Sequence, residues 1–150
     1  GIFYAVQHAQ AGLLTLAEYK TFGLPFDLLT TQPAAGLWCN LLHLHGINIY
    51  FDLVSKSLFP DHMFPIVNWH DRETPPSLEE AQKHITGVVC GGVSQKTIVF
   101  GDSSQVQQEA VNAVQQTSGR RLLLGTGCVV PVIAPHGNIL AARQSVEASE

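Results

Sequence analysis

The chain has 150 residues, of which 45% are hydrophobic and 13% charged, a composition that can bury one sizeable core. Its formal charge is −4, and its 8 Lys and Arg residues form no basic run, which disfavours a nucleic-acid-binding surface. No apolar stretch approaches the roughly 20 residues of a membrane span, and the three cysteines lack the spacing of a disulfide scaffold. We therefore predict a soluble, cytoplasmic protein with reduced thiols and one domain over residues 1–150.

The first half of the chain predicts strands and helices in alternation. Because the chain opens inside an apolar strand, we expect residues to precede Gly1. A capping box at Thr15 and Glu18 starts a helix, which the sequence Gly23-Leu24-Pro25 is expected to interrupt. The remaining predictions for this half are a second helix from Phe26 to Gly36, a strand from Leu37 to His45 and an amphipathic helix from Tyr50 to Leu58.

The second half repeats the alternation. A second capping box, at Ser77 and Glu80, predicts a helix that ends at Gly87. The other predicted elements are a strand from Met63 to Trp69, a strand from Val88 to Gly92, a long helix from about Ser104 to Ser118, a strand from Arg121 to Gly125 and a helix from Asn138 to Glu147. Five short apolar strands separated by helices indicate a parallel sheet of βα units.

The fold class follows from this alternation. No G-x-G-x-x-G motif opens a helix, so the sequence disfavours a doubly wound dinucleotide-binding sheet. An α/β (β/α)₈ barrel needs roughly 200 residues or more. The prediction is therefore a partial barrel of the TIM type, with about five βα units. Such a partial barrel exposes unpaired sheet edges, so we expect a missing amino-terminal half or another copy of the chain to cover them.

Two histidines stand where the second predicted strand ends. Side chains alternate across a strand, so His43 and His45 are expected on the same side. At the carboxyl end of a parallel strand this is a paired-ligand arrangement, although one imidazole could instead be a packed core residue and the other a loop donor.

A run of charged residues, His70-Asp71-Arg72-Glu73, follows the third predicted strand. At the mouth of a barrel, His70, Asp71 or Glu73 could supply a further metal ligand or a general acid or base, and Arg72 could hold a substrate carboxylate through two hydrogen bonds. The alternative is an ion-pair network that stabilises the loop.

Several strand-end motifs carry a resemblance. His43-Leu44-His45-Gly46, Asn68-Trp69, Cys90-Gly91-Gly92 and Gly125-Thr126-Gly127-Cys128 occur in an order and at a spacing that resemble the carboxyl-terminal half of the uroporphyrinogen decarboxylase superfamily. The resemblance implies a (β/α)₈ barrel with one of two activities. These are cofactor-free decarboxylation of uroporphyrinogen, and zinc-dependent transfer of a methyl group between corrinoid proteins and thiols.

The decarboxylase pattern is matched with two departures. Gln7 stands where the family's Phe-Asp/Glu-Ser segment has serine, and Thr126 stands where its Gly-His-Gly motif has histidine. By this resemblance Gln7, Thr126 and the neighbouring His8 are predicted substrate-binding residues. The family's main catalytic carboxylate and arginines lie in the amino-terminal half, which the resemblance does not cover.

The methyltransferases hold zinc with a His-x-Cys motif and a distant cysteine in a Pro-Gly-Cys turn. By resemblance His43 and Cys128 match two of these ligands, and His45 replaces the first cysteine. Three protein ligands would leave one position open for a thiol. Fewer thiolates make the site less selective for zinc.

The family-level hypothesis is decarboxylation of a uroporphyrinogen-type tetrapyrrole without a cofactor. Zinc-dependent methyl transfer from a corrinoid-bound methyl group to a thiol is the alternative that His43, His45 and Cys128 favour, with a corrinoid protein as a possible partner. A third possibility is a tetrapyrrole- or corrinoid-binding module without turnover. No nucleic acid or membrane partner is predicted.

Overall fold

A computed structural model describes residues 1–53 and 63–147. Its strands form one sheet in which each strand pairs in parallel with the next along the chain, in the order β1-β2-β3-β4-β5. The strands are β1 (Phe3–Val6), β2 (Leu41–Leu44), β3 (Ile66–Trp69), β4 (Val88–Val93) and β5 (Leu122–Thr126). The predicted α/β class and the strands are confirmed, and a parallel sheet in simple chain order is consistent with part of a TIM-type barrel.

Helices connect the strands. They are α1 (Leu16–Glu18), α2 (Leu24–Thr31), α3 (Leu78–His84), α4 (Gln95–Phe100), α5 (Ser103–Thr117) and α6 (His136–Glu147). Both predicted capping boxes are present, one from Thr15 to Glu18 and one from Ser77 to Glu80. The end predicted for the long helix is also confirmed, because Ser118 takes a left-handed conformation directly after α5.

The predicted interruption at Gly23 and Pro25 is wrong. A π-helical turn, Tyr19–Gly23, joins α1 to α2, and a short 3-10 helix, Gln32–Ala34, follows α2. Proline is tolerated in the first turn of a helix because its missing N–H would have had no partner there. Gly23 leaves room for the Tyr19 ring, which occupies the place of a Cβ atom. The two segments therefore form one helical run.

Two other boundaries differ from the predictions. Residues 37–40 are not part of β2. The Asn40 side chain instead accepts from the Ile2 N–H and donates to the carbonyls of Ala34 and Met63. Helix α4 was not predicted; Ser94 caps it, and it buries Ile98.

The two faces of the sheet differ in burial. The face toward the helices carries Leu42, Leu44, Val67, Trp69 and Val89, all buried in the main hydrophobic core. The other face has buried residues in its middle but open edges, because Phe3 on β1 is 61% exposed and Leu123 on β5 is 47% exposed. The side-chain alternation of a strand produces this division.

The predicted amphipathic helix from Tyr50 to Leu58 lies partly outside the described residues; residues 51–53 are helical. None of the helices in the part of the chain that the structure describes has the length and apolar character that a membrane crossing requires.

Candidate metal centre

Four side chains with metal-binding atoms meet at one edge of the sheet. His43 lies in β2, His45 follows β2, His70 follows β3 and Cys128 follows β5. Because the strands are parallel, these positions share the carboxyl edge. One ligating atom from each residue lies within 4.8 Å of those from the other three.

Two of the separations between donor atoms match those expected around a single metal ion. His43 Nε2 lies 3.4 Å from His45 Nδ1, and His45 Nδ1 lies 3.7 Å from Cys128 Sγ. Around tetrahedral zinc, the usual Zn–N and Zn–S bond lengths place two nitrogens about 3.3 Å apart and a nitrogen and a sulfur about 3.6 Å apart. These two pairs of donor atoms would need little movement to bind zinc.

The backbone holds His45 beside His43. His45 N–H donates to the Val6 carbonyl at 3.0 Å, which extends the pairing of β2 with β1 by one bond. The Gln10 amide donates to the carbonyl of His45 at 3.3 Å. The chain then turns at Gly46, whose φ of 94° favours glycine. Both imidazoles therefore lie on one side of the sheet, as the alternation predicts.

His70 is buried with one nitrogen unpaired. Its Nε2 finds no hydrogen-bond partner among the described residues, while Nδ1 lies 3.9 Å from a Glu73 carboxylate oxygen. Burial lowers the pKa of His70, and the nearby His45 adds to this effect. A neutral imidazole with an unpaired nitrogen is suited to binding a metal.

His43 is also buried and neutral. Burial is the main cause that lowers its pKa, and His70 and His45 lower it further, whereas the hydrogen bond that His43 makes to the Asn68 oxygen raises it. The Phe3 ring stacks on the imidazole with the centroids 5.7 Å apart.

Cys128 reaches the three histidines because the turn after β5 packs against the end of β3. A Cβ atom on Gly127 would stand 2.8 Å from the His70 Cα and 2.9 Å from the Trp69 carbonyl oxygen, so only glycine fits. The Thr126 hydroxyl donates to the Cys128 carbonyl and closes the turn. This contact gives Thr126 a structural role; its predicted role in binding a substrate stays a prediction.

Asp71 and Arg72, which follow His70, make hydrogen bonds to other parts of the chain. Asp71 accepts from the Gly92 N–H at 3.1 Å, and burial raises its pKa to about 6. The Arg72 guanidinium donates to the carbonyls of Gly92 and Glu109 and to the Asn112 side chain. These contacts match the loop-stabilising alternative, so the catalytic and carboxylate-binding roles of Asp71 and Arg72 stay predictions without a supporting contact.

The remaining predicted site residues lie outside the group of four. Glu73 approaches it only through His70. Gln7 and His8 follow β1 at the same edge of the sheet and are exposed. Their backbone carbonyls accept hydrogen bonds from Gln10, from its side chain and its N–H respectively. The predicted contact of Gln7 and His8 with a substrate stays a prediction.

The donor set suits a metal ion of intermediate hardness. Imidazole and thiolate are both zinc ligands. A metal ion would also give the unpaired Nε2 of His70 a partner. His43, His45 and Cys128 were predicted as ligands from the sequence. His70 was predicted as a possible fourth ligand or as a general acid or base, and the structure places it among the four donors.

Sequence reasoning missed the role of Asn68. Its side-chain oxygen lies 2.6 Å from His43 Nδ1, deep in the sheet. The sequence offered two signals, the Asn68-Trp69 motif of the resemblance and an amide in an otherwise apolar strand, and neither pointed to His43.

The fold and the site together define a class of structure. It is a parallel α/β sheet with a cluster of imidazole and thiol ligands at its carboxyl edge. No protein-family model matches the chain, and no curated protein matches it. Among solved structures, the chain is similar to a methyltransferase from Methanosarcina mazei, with 18% identity and a TM-score of 0.74. The match covers 97% of this chain and 41% of that one. The likeness supports the fold, and this chain spans less than half the length of the methyltransferase.

Proposed function

We propose that His43, His45 and Cys128 bind a zinc ion, that His70 is a fourth donor which a substrate thiol can displace, and that the chain belongs to an enzyme that transfers a methyl group to a thiol. The convergence of three imidazoles and one thiol within 4.8 Å carries the proposal. The similar structure from Methanosarcina mazei is a methyltransferase, which fits the proposal. Decarboxylation of a uroporphyrinogen finds no support in these contacts and rests on the family resemblance alone.

Two of the four donor residues are held in the protonation state in which an imidazole binds a metal. Buried His43 and His70 have a lowered pKa, so both imidazoles are neutral at pH 7. Neutral nitrogens bind a cation without first releasing a proton. Cys128 is half-buried, and zinc would bind its sulfur as a thiolate.

Bound zinc would act as a Lewis acid that lowers the pKa of a substrate thiol and holds it as a thiolate. The overall reaction is R–SH + CH₃–Co(III) → R–S–CH₃ + Co(I) + H⁺. The C–S bond forms as the Co–C bond breaks, both electrons of that bond stay on the cobalt of the corrinoid, and the thiol proton goes to solvent. The residues of this chain would fix the position of the thiol and exclude part of the solvent.

The number of ligands separates two functions. Three protein ligands leave a position for a substrate, whereas four close a tetrahedral site, as in structural zinc centres. His70 is the residue that decides between them, because it is the fourth donor of the group. A closed site favours the second candidate, a metal-binding module without turnover.

The first experiment measures metal binding by the 150-residue chain. Titration with Co²⁺ followed by visible absorption should show thiolate-to-cobalt charge transfer, and zinc should displace the cobalt. We expect His43→Ala and Cys128→Ala each to weaken binding by more than about 100-fold, since substitution of an outer hydrogen-bonding partner alone costs 10–100-fold. His84→Ala and Cys39→Ala, both outside the group, are the matched controls. Unchanged zinc content in the first two variants would reject the metal centre.

The second experiment distinguishes the two candidates in the metal-loaded protein. Methylcobalamin and mercaptoethanol serve as methyl donor and acceptor, and the loss of the Co–C bond is followed by absorption. The methyltransferase function is supported if methylcobalamin loses its methyl group only when zinc is bound and if Cys128→Ala abolishes this loss. The metal-binding module without turnover is supported if wild type and His70→Ala both bind zinc tightly and neither removes the methyl group of methylcobalamin.

A further inference from the structure

Asn68 is a buried amide in the middle of the sheet. It lies on β3 between His43 of β2 and Cys90 of β4 in the strand register, and only 4% of it is exposed. A buried amide is destabilising unless its polar atoms are paired. The Asn68 side chain makes hydrogen bonds to three other strands, β2, β4 and β5.

These contacts fix which way the amide points. Nδ2 donates to the Cys90 carbonyl at 2.9 Å and to the Thr126 carbonyl at 3.1 Å. Carbonyl oxygens only accept, so the nitrogen must face them, and the amide oxygen must face His43 Nδ1 at 2.6 Å. A flipped amide would set its oxygen against both carbonyl oxygens and lose those two bonds.

The orientation of Asn68 in turn sets the tautomer of His43. The amide oxygen has no hydrogen to give, so the short contact requires a proton on His43 Nδ1. In the neutral ring the lone pair then lies on Nε2, the atom that is 3.4 Å from His45. His43 is thereby presented to the cluster as an Nε2 ligand.

We propose that Asn68 is a positioning residue for the metal centre. It holds His43 in the ligating tautomer and ties the Thr126 carbonyl, two residues before Cys128, to the same side chain. This inference rests on the proposed metal binding but addresses how the ligands are aligned. Asn68 itself binds neither metal nor substrate.

Two substitutions separate its two contributions. Asn68→Asp keeps an acceptor for His43 and loses the donors to Cys90 and Thr126, whereas Asn68→Leu loses both. Asn40 is the matched control, because it is another fully buried amide with one accepted and two donated bonds, all to main-chain groups away from the cluster.

Cobalt affinity and the His43 tautomer are the two measurements. We expect Asn68→Leu to weaken Co²⁺ binding by about 10–100-fold, Asn68→Asp to stay within about 10-fold of wild type, and Asn40→Leu to bind as wild type does. In the metal-free wild type, ¹⁵N NMR should show His43 with the proton on Nδ1, and in Asn68→Leu the Nε2–H form should increase.

The results that overturn the inference are distinct from those that overturn the metal centre. Wild-type cobalt affinity in Asn68→Leu, or an Nε2–H tautomer in the wild type, refutes the positioning role. If the wild type binds no metal, the proposed function fails, while the tautomer measurement still decides the role of Asn68. If Asn68→Leu does not fold, the wild-type tautomer and Asn68→Asp decide it, and an Asp variant with more than about 100-fold weaker binding counts against the acceptor role.

Discussion

Substitution of Gly127 by alanine tests whether the turn after β5 delivers Cys128 to the histidines. The new Cβ would stand 2.8 Å from the His70 Cα, whereas two carbon atoms pack best at about 3.5–4.0 Å. Backbone on one side must therefore move by about 1 Å. Overpacking of this kind is destabilising by about 1–3 kcal/mol, against which alanine regains about 0.4–1 kcal/mol by restricting the unfolded chain.

We therefore expect Gly127→Ala to lower the free energy of unfolding by up to about 2.5 kcal/mol. Functional ligands need placement within about 0.5 Å, so the same movement should weaken metal binding by at least about 10-fold. Urea denaturation of the metal-free protein measures the first effect, and competition with a chromophoric chelator measures the second.

Gly125→Ala, two residues earlier on β5, is the matched control. Its added Cβ would meet only the Cys90 Sγ, at an ordinary 3.5 Å, so we expect stability within about 1 kcal/mol of wild type and unchanged metal binding. If Gly127→Ala and Gly125→Ala behave alike in both assays, the packing of the Cys128 turn against His70 does not align the site.

Two further predictions concern the stability of the scaffold. The Tyr4 and Tyr19 hydroxyls both donate to the Asp27 carboxylate, at 2.7 and 2.5 Å, and burial together with Asp27 raises the pKa of Tyr4 to about 12. Because the folded state favours the neutral phenol, the stabilisation by Tyr4 is complete below the unfolded pKa of about 10 and is lost as the pH rises to about 12. Tyr4→Phe should therefore make the fall of the free energy of unfolding between about pH 10 and pH 12 less steep. A slope equal to that of the wild type would contradict the linkage. Arg72→Ala leaves the Gly92 and Glu109 carbonyls without their guanidinium donor and should lower the free energy of unfolding in urea by about 2–4 kcal/mol. Lys83→Ala, which removes only an exposed ion pair with Glu79, should change it by less than about 1 kcal/mol, and equal effects of the two variants would refute a structural role for Arg72.

Local rules account for what the sequence predicted well. The alternation of a strand places His43 and His45 on one side, and this needs no knowledge of any other element. The capping boxes at Thr15 and Ser77 are also local, since each joins residues three apart. Cys128 was reached through a family resemblance, because nothing in its own neighbourhood points to a histidine 83 residues away.

The features that sequence reasoning missed depend on register and packing. Asn68 acquires its role only when β3 lies between β2 and β4 with the register that puts it beside His43. The contacts of Arg72 join it to Glu109, 37 residues along the chain, so the sequence alone left both a substrate-binding role and a loop-stabilising role open for the charged run. The helix α4 is six residues long, too short for a hydrophobic period to be recognised.

His70 and Asp71 are adjacent in the sequence, and both are ionisable and buried, yet their surroundings differ in a way that bears on function. Asp71 has the Gly92 N–H as a donor and Arg72 as a nearby cation, so its burial is compensated by structure. His70 Nε2 has no such partner among the described residues, and a buried polar atom left unpaired is destabilising by about 1–3 kcal/mol. An apolar side chain at this position would avoid that penalty, whereas a metal shared with His43, His45 and Cys128 would offset it. The unpaired nitrogen therefore favours His70 over Asp71 as the functional residue of the charged run.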